Sequence, residues 1–594
     1  MPVGDAAAPI ASQAVPPGGC SGTGGGQEAP RQPSDRWAGL RRGWVEPAAG
    51  MLLLLWAVFQ NFWNLAAANV EADETVYVKA GWQYVHGDFR LNGEHPFTAK
   101  YLMGIAQLIL GQGLTSARTA AAVASLVTGV IIWWWLRTEV GRTTGMLAAA
   151  MWLLLPRQIS LFWGPREDRY ALLEPFMMMF GVAAMAAGWW WYRSGRWSPM
   201  ALSAVAIALA ATSKVSIAVV APVLVLLPLL ARRDRRTARQ AVAFVVIAAG
   251  VAALTFVPAG DPVAAVRRML AFQARQDGAG HVVEVAGMVT SRPPWWTNLY
   301  WMAQGIGWLA SGGLVVGVLL LLAYRRSALG LFVGANLGVL AVFYLFVSSV
   351  ALPHYYYAFL PELIILSAIG LTAPWRFGSV RWTGIPVAVP RALALGAGLL
   401  LVVSAVGTSV DTARLHPWGP ARIEAALAAA GRPAGPVLMT GMTRSEYRSY
   451  VTAPVTTYQS NIVAIAVFRG SLRNRPSPEL IRLVDEHPAN FQRVQLDEIE
   501  LYIVKVPLAP CPRGIQQARL HGVPLSICPR RPATRPLGAF ALTETGPRIG
   551  CGGPETCADR DGDRITGLRG VTMIRHGELS SIPRTGLRLP GDVP

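Results

Sequence analysis

Residues 215–258 read VSIAVVAPVLVLLPLLARRDRRTARQAVAFVVIAAGVAALTFVP. Two uncharged apolar runs, 215–231 and 241–258, flank Arg232, Arg233, Arg235, Arg236 and Arg239. A spanning helix needs about 20 mainly apolar residues. Short loops crowded with arginine stay on the cytoplasmic side of a membrane. The stretch therefore reads as one span returning to the cytoplasm, a basic turn, and a second span leaving it.

Working outward from this turn, further spans are expected at 50–68, 117–136, 143–157, 171–191, 199–212 and 299–323. Three more follow, ending near Val350, ending near Thr372, and covering 391–408, which makes about 11. The 594 residues are 53% hydrophobic and 15% charged, where a soluble chain carries about 25% charged residues. Mean hydropathy is +0.36. The fold class is a polytopic α-helical membrane protein. The net charge of +19 does not point to nucleic acid, because the arginines bracket the spans, Arg267 and Arg268 being the exception to the positive-inside order. A segment at 97–112 is apolar but would reach only ~24 Å against ~30 Å of hydrocarbon, so an outer-loop interfacial helix is expected there.

Three regions follow. Residues 1–45 read as a disordered cytoplasmic tail, whose first 36 residues lack the apolar core of a signal peptide. Residues 46–410 form the transmembrane part. Residues 411–594 form an extracytoplasmic soluble domain of mixed α/β type, with helical stretches at Ala421–Ala430 and Pro478–Glu486 and strand-like ones at Pro436–Met439 and Ile499–Val506. Cys511, Cys528, Cys551 and Cys557 all lie in that last region. Four thiols in an exported domain suggest two disulfides with three alternative pairings; zinc competes, but the spacings are unlike paired CxxC ligands.

With this topology the chemically active residue types gather on the outer side: Asp73, Glu74, His95, Lys100, Arg166, Arg169, Glu174, Lys214, His281 and His354. Asp73 and Glu74 are adjacent and point in different directions, which argues against a shared-proton pair. The plain alternative for Asp73 is a helix N-cap. Pro96 suits the first turn of a helix, and Lys100 one turn later suits a phosphate at that helix start; snorkelling to headgroups is its alternative. Lys214 and His354 could equally be span-end anchors. Ionisable groups at a membrane edge are functional candidates by default.

Glu71-Ala-Asp-Glu-Thr-Val-Tyr77, then His86-Gly-Asp88, then His95-Pro-Phe-Thr-Ala-Lys100 resemble the first-loop signature of polyprenyl-phosphate-dependent glycosyltransferases. The families are the protein O-mannosyltransferases and the lipid A aminoarabinose transferases, of the membrane GT-C class. Phe97 stands where the family often has a second proline, and Glu174 in Arg169-Tyr-Ala-Leu-Leu-Glu-Pro-Phe176 stands where an aspartate is usual. Ser213-Lys214, Pro353-His-Tyr-Tyr-Tyr-Ala-Phe-Leu-Pro361 and Gly280-His281 with Pro293-Pro-Trp-Trp-Thr-Asn298 resemble further family segments, so the likeness covers roughly residues 45–375.

The resemblance implies an inverting transferase that moves a sugar from a polyprenyl-phosphate donor to an extracytoplasmic acceptor, such as a cell-envelope glycan, lipid or protein. It implies Asp73 as base, with Glu74 beside it. Lys100, Lys214, His354, Arg166 and Arg169 become the expected phosphate partners, and His95, Glu174, His281, Tyr355, Tyr356 and Tyr357 the expected substrate pocket. No cofactor is required, although the Asp73/Glu74 pair is compatible with a divalent metal. A transporter or flippase for lipid-linked sugars is the main competitor, but transporters place charge near the bilayer midplane. A non-catalytic assembly subunit is the third reading.

Overall fold

The computed structural model describes residues 33–505 except 68–69, 159–165, 325–326, 378–384, 418, 433–434, 436, 442–462 and 470–474. Beyond 505 it describes backbone strands between residues 517 and 558, and for 33–45 likewise the backbone alone. Residues 1–54 and 55–594 form two compact units. The described part of the first is the leading portion of helix α1 (Pro33–Phe62), so residues 33–45, expected within the disordered tail, are helical instead. The residues discussed below all lie in the second.

After α1 come two short helices, α2 (Ala72–Tyr84) and α3 (Thr98–Leu110). The long α4 (Leu114–Glu139) leads to α5 (Arg142–Leu154), α6 (Glu174–Ser194) and α7 (Trp197–Ala211). Then follow α8 (Ala221–Arg232), α9 (Arg235–Phe256) and α10 (Pro262–Ala279), a hairpin of β1 (Val283–Val285) and β2 (Met288–Thr290), and α11 (Thr297–Tyr324). Helices α12 (Ala328–Val342), α13 (Leu360–Arg376) and α14 (Ala388–Ala413) complete this part.

Among the described residues eight helical segments are long and apolar enough to cross a membrane: Glu46–Ala67, Leu114–Glu139, Val215–Arg232, Arg235–Ala259, Thr297–Tyr324, Ala328–Val347, Tyr355–Arg376 and Ala388–Ala413. The chain is a polytopic helical membrane protein. In hydrocarbon a spanning segment must satisfy its backbone internally, which selects helices for such runs. The three other spans expected from the sequence are not among these eight: they are helical, as α5, α6 and α7, of 13, 21 and 15 residues, and α5 is no longer than α3. Tyr355–Arg376 is 89% buried and Arg235–Ala259 only 17%, so α13 is a buried helix of the bundle and α9 a largely exposed one.

Helix α3 has 13 residues, about 20 Å of rise. It buries Ala99, Lys100, Met103 and Gln107 and exposes Tyr101, Leu108, Ile109 and Leu110. It crosses α2 with backbone nearly on backbone. A Cβ on Gly104 would meet Val85 Cγ1 at 2.7 Å and the Gly81 carbonyl closer still, and one on Gly81 would meet Gly104 N at 3.0 Å. Gln107 Nε2 donates to Val78 O at 2.9 Å across the same crossing. Helix α3 begins at Thr98, so Pro96 precedes its first turn rather than occupying it.

In the C-terminal part, α15 (Gly419–Ala429) and α16 (Pro478–Glu486) accompany a four-stranded sheet. Its strands are β3 (Val437–Thr440), β4 (Ala464–Phe468), β5 (Phe491–Leu496) and β6 (Ile499–Val504), in the order β3-β4-β6-β5. Strand β3 runs parallel to β4, and the other neighbours are antiparallel. Strand side chains alternate between faces. Val437, Met439, Ala466 and Leu501 pack with Ile423 and Leu427 of α15, while Leu438, Ile465, Val467 and Tyr502 pack with Leu480 and Leu483 of α16. Of the four cysteines, Cys511 lies outside the described residues; the backbones of Cys551 and Cys557 face each other in an antiparallel pair, and Cys528 lies in a separate strand, Val523–Pro529.

Candidate active site

Helix α2 starts with a reciprocal cap. Glu71 accepts from Asp73 N at 2.6 Å, and Glu74 Oε2 accepts from Glu71 N at 2.9 Å. The cap is therefore Glu71, not Asp73. Glu74 is fully buried. Arg118 of α4 grips it from both sides, Nε to Oε1 at 2.8 Å and Nη2 to Oε2 at 2.6 Å, and Ala171 N adds a third bond to Oε1 at 2.6 Å. Every favourable direction on that carboxylate is filled. Asp73 is only partly covered and, among the described residues, has one side-chain hydrogen-bond partner, the Tyr77 hydroxyl at 3.3 Å, one helical turn on. Burial and the like charge of Glu174 raise the Asp73 carboxyl above the usual aspartate range.

Three chain breaks bring the opposing groups in. Glu174 opens α6, with Pro175 behind it and the helix N-terminus favouring its negative charge. Lys214 lies in an extended residue between α7 and the 3-10 turn Val215–Val220. His354 precedes the 3-10 turn Tyr355–Phe359. Lys214 Nζ is ion-paired with Glu174 Oε1, and His354 Nε2 lies 3.3 Å from the same oxygen. The Lys214 ammonium also sits 4.2 Å from the Tyr355 ring centroid. Burial opposes the charge on Lys214, but the Glu174 carboxylate outweighs it and raises its pKa, so it stays cationic.

His95 meets Tyr77 edge-on at 5.6 Å. Burial, followed by Lys100 and Lys214, lowers it to about 3. Burial likewise lowers His354 to about 4, with His281 contributing from its neighbourhood. Both imidazoles are thus neutral at ordinary pH and offer N–H donors rather than charge. The structure brings together Asp73, His95, Glu174, Lys214, His281, His354 and Tyr355. Tyr77 joins them without having been singled out in the sequence; its place one turn after Asp73 was the available signal.

Several expected site residues are engaged elsewhere. Lys100 is fully buried, and its Nζ donates to Asn92 O at 2.5 Å, Asn92 Oδ1 at 2.9 Å and His95 O at 2.9 Å. An ammonium has three protons, so none remains for a ligand. Arg166 pairs with Asp168 and donates to Gln60 Oε1 at 3.1 Å and to Leu153 O. Arg169 donates to Gln60 O and Trp63 O. Arg157 reaches Asp168 at 2.9 Å, and Ser125 bonds the same carboxylate. This buried network, which sequence patterning does not reveal, ties the loop before α6 to the end of α1 and to α4. Tyr356 donates to Gln158 O at 3.0 Å, and Tyr357 packs on Trp152, so both face that network and not Lys214. Among the described residues no group of three or more His, Cys, Asp or Glu side chains is arranged to hold a metal ion.

A family model described as dolichyl-phosphate-mannose-protein mannosyltransferase matches residues 94–259. That stretch holds His95, Lys100, Glu174 and Lys214 but not Asp73 or His354. The structure of ArnT from Cupriavidus metallidurans in the apo state is similar with a TM-score of 0.50 and 16% identity, over 78% of this chain and 98% of that one. The same protein bound to undecaprenyl phosphate gives 0.50 and 15%, over 79% and 99%. The chain has the fold of the GT-C glycosyltransferases. It resembles the O-mannosyltransferase and ArnT families among them. An Archaeoglobus fulgidus oligosaccharyltransferase is more distant, with a TM-score of 0.44 and 12% identity over 66% of this chain and 58% of that one. No curated protein matches the chain in sequence.

Proposed function

We propose that this protein is an inverting glycosyltransferase that moves a sugar from a polyprenyl-phosphate donor to a hydroxyl acceptor on the extracytoplasmic side of the membrane. The observation that carries the reading is the pairing of one accessible carboxylate with a buried cation and imidazole. Asp73 keeps a free face, while Lys214 and His354 converge within the same cluster. The GT-C fold and the 94–259 match support it.

Asp73 takes the proton of the acceptor hydroxyl as its oxygen attacks the anomeric carbon. The bond from that carbon to the phosphate oxygen breaks, and its electron pair leaves with the lipid phosphate. Lys214 and the N–H of His354 stabilise the departing oxygen. Displacement from the opposite face inverts the anomeric centre. This charge stabilisation comes from side chains, and no step is routed through a metal ion. The raised pKa of Asp73 suits a base, which works best near the operating pH. Glu74, Lys100, Arg166 and Arg169 act as positioning residues: their bonds hold α2 and the loops before α3 and α6.

The topology that goes with this function has 11 crossings, the tail of residues 1–45 in the cytoplasm, and residues 411–594 outside. Arginine clusters at 232–239 and beside the other inner turns support it. It puts Asp73, Lys214 and His354 on one face. Residues 411–594 would then stand beside the acceptor, carrying the cysteines in an oxidising compartment.

The test is sugar transfer or release from synthetic polyprenyl-phosphate sugars by the full chain in nanodiscs, with Asp73→Asn alongside. Turnover that vanishes in the folded variant supports the reading. Lipid-phosphate binding without turnover across donors and acceptors, unaffected by the substitution, would favour a flippase instead.

A further inference from the structure

Lys214 and His354 converge on a single oxygen, Glu174 Oε1, in a site where Glu174 and His354 are almost wholly buried and Lys214 is 14% exposed. A buried cation needs a partner, because removing one member of such a pair strands the other away from water. In this pair of contacts the partner is part of the chain, and it has the shape and charge of one edge of a phosphate. We propose that Glu174 is an internal stand-in for the donor's phosphate: it holds Lys214 and His354 while no donor is bound, yields them to the lipid phosphate on loading, and reclaims them as the product lipid phosphate departs. This rests on the glycosyltransferase reading above, and it moves Glu174 from the substrate pocket to the control of donor and product affinity.

The geometry makes competition unavoidable. A carboxylate and a phosphate oxygen cannot both occupy the position 3.3 Å from His354 Nε2 and in ion-pair contact with Lys214 Nζ. Glu174 sits at the first turn of α6, where backbone N–H groups can stabilise its charge after it lets go. The side chain has three rotatable bonds, so withdrawal requires no movement of the helix. The same contact that weakens donor binding also hastens release of a product bearing the same phosphate. The expected design is moderate affinity with rapid turnover, rather than tight capture.

The test measures binding of a synthetic polyprenyl phosphate, and of the matching uncharged polyprenol, to the full-length protein in detergent. Glu174→Gln keeps the shape and removes the competing charge. Polyprenyl phosphate should bind the variant about tenfold more tightly or better, with polyprenol affinity unchanged. In steady state the donor KM and kcat should fall together, as release of lipid phosphate becomes limiting. Glu174→Asp, which keeps the charge on a shorter arm, should give a smaller shift of the same sign and serves if the glutamine variant misfolds. Equal or weaker phosphate binding by a folded Glu174→Gln, with wild-type still preferring phosphate to polyprenol, overturns the stand-in role and leaves the glycosyltransferase reading intact. Failure of the wild type and of both variants to distinguish phosphate from polyprenol overturns that reading itself.

Discussion

Glu74→Gln should unfold the protein more readily, whereas Asp73→Asn next to it should leave stability nearly untouched and stop turnover. Glu74 Oε1 receives Arg118 Nε and Ala171 N; Oε2 receives Arg118 Nη2 and Glu71 N. Whichever oxygen becomes the amide nitrogen of glutamine, it confronts two donors that now lack an acceptor. Arg118 meanwhile keeps its charge in full burial, with Leu65 O at 2.7 Å as a remaining acceptor. Removing one member of a buried pair costs about 3–5 kcal/mol. Asp73→Asn keeps an amide oxygen that can accept the one marginal hydrogen bond from Tyr77, so the change in stability is about 1 kcal/mol at most, yet removal of a general base costs about 10²–10⁴ in rate. Thermal or denaturant unfolding in detergent gives the first quantity, and donor turnover the second. An Arg118→Met, Glu74→Leu double variant supplies the control: two apolar side chains should recover most of the stability that either single change removes. If Glu74→Gln is as stable as wild type and as inactive as Asp73→Asn, Glu74 is part of the chemistry and not a strut.

Lys214→Met should abolish selective binding of polyprenyl phosphate. Lys100→Met should retain that selectivity but loosen residues 92–97, costing about 1–3 kcal/mol for the orphaned Asn92 and His95 carbonyls; lipid binding and hydrogen exchange separate the two. The acid limb of kcat/KM should lie above the ordinary aspartate range, because Asp73 must be deprotonated to act and its pKa is raised. In Glu174→Gln that limb should shift to lower pH, since a repelling carboxylate is gone and Lys214 is freed to favour the Asp73 anion; a pH-rate series checks both. Gly104→Val should disrupt the α2–α3 crossing, where even a Cβ collides with Val85 and the Gly81 backbone, and expression with retained thermal stability would contradict the contact.

Hydropathy was enough to place the helices, because lipid leaves an apolar run of this length little choice but a helix. The first-loop motif also singles out Asp73, and the later segments Lys214 and His354, which the fold brings into one cluster. The sequence could not say which carboxylate of the Asp73–Glu74 pair is the strut, because the partner that decides it, Arg118, sits 44 residues away near the start of an apolar helix. The contacts of Lys100 are illegible for a related reason: two of its three acceptors are backbone carbonyls, which leave no trace in residue identity. Tyr355, Tyr356 and Tyr357 read as one aromatic block. On a 3-10 turn successive side chains are about 120° apart, so Tyr355 alone faces Lys214 while its neighbours face Gln158 and Trp152. The helix boundaries at Glu174 and Lys214 were legible; that both side chains meet at one oxygen was not.

The contact between Gly81 and Gly104 has a mechanical consequence. Two rods touching through their main chains, with no side chains between them to bend or rotate, cannot slide past one another in small steps. The arm that bears Asp73 and the arm that bears Lys100 are therefore a single casting, bolted to α4 through Arg118. Thr98 extends that casting to the Lys214 break, its N–H donating to Thr212 O at 3.0 Å and its hydroxyl meeting that of Thr212 at 2.7 Å, so an opening that admits a lipid falls to the break at His354, where a short turn replaces continuous helix.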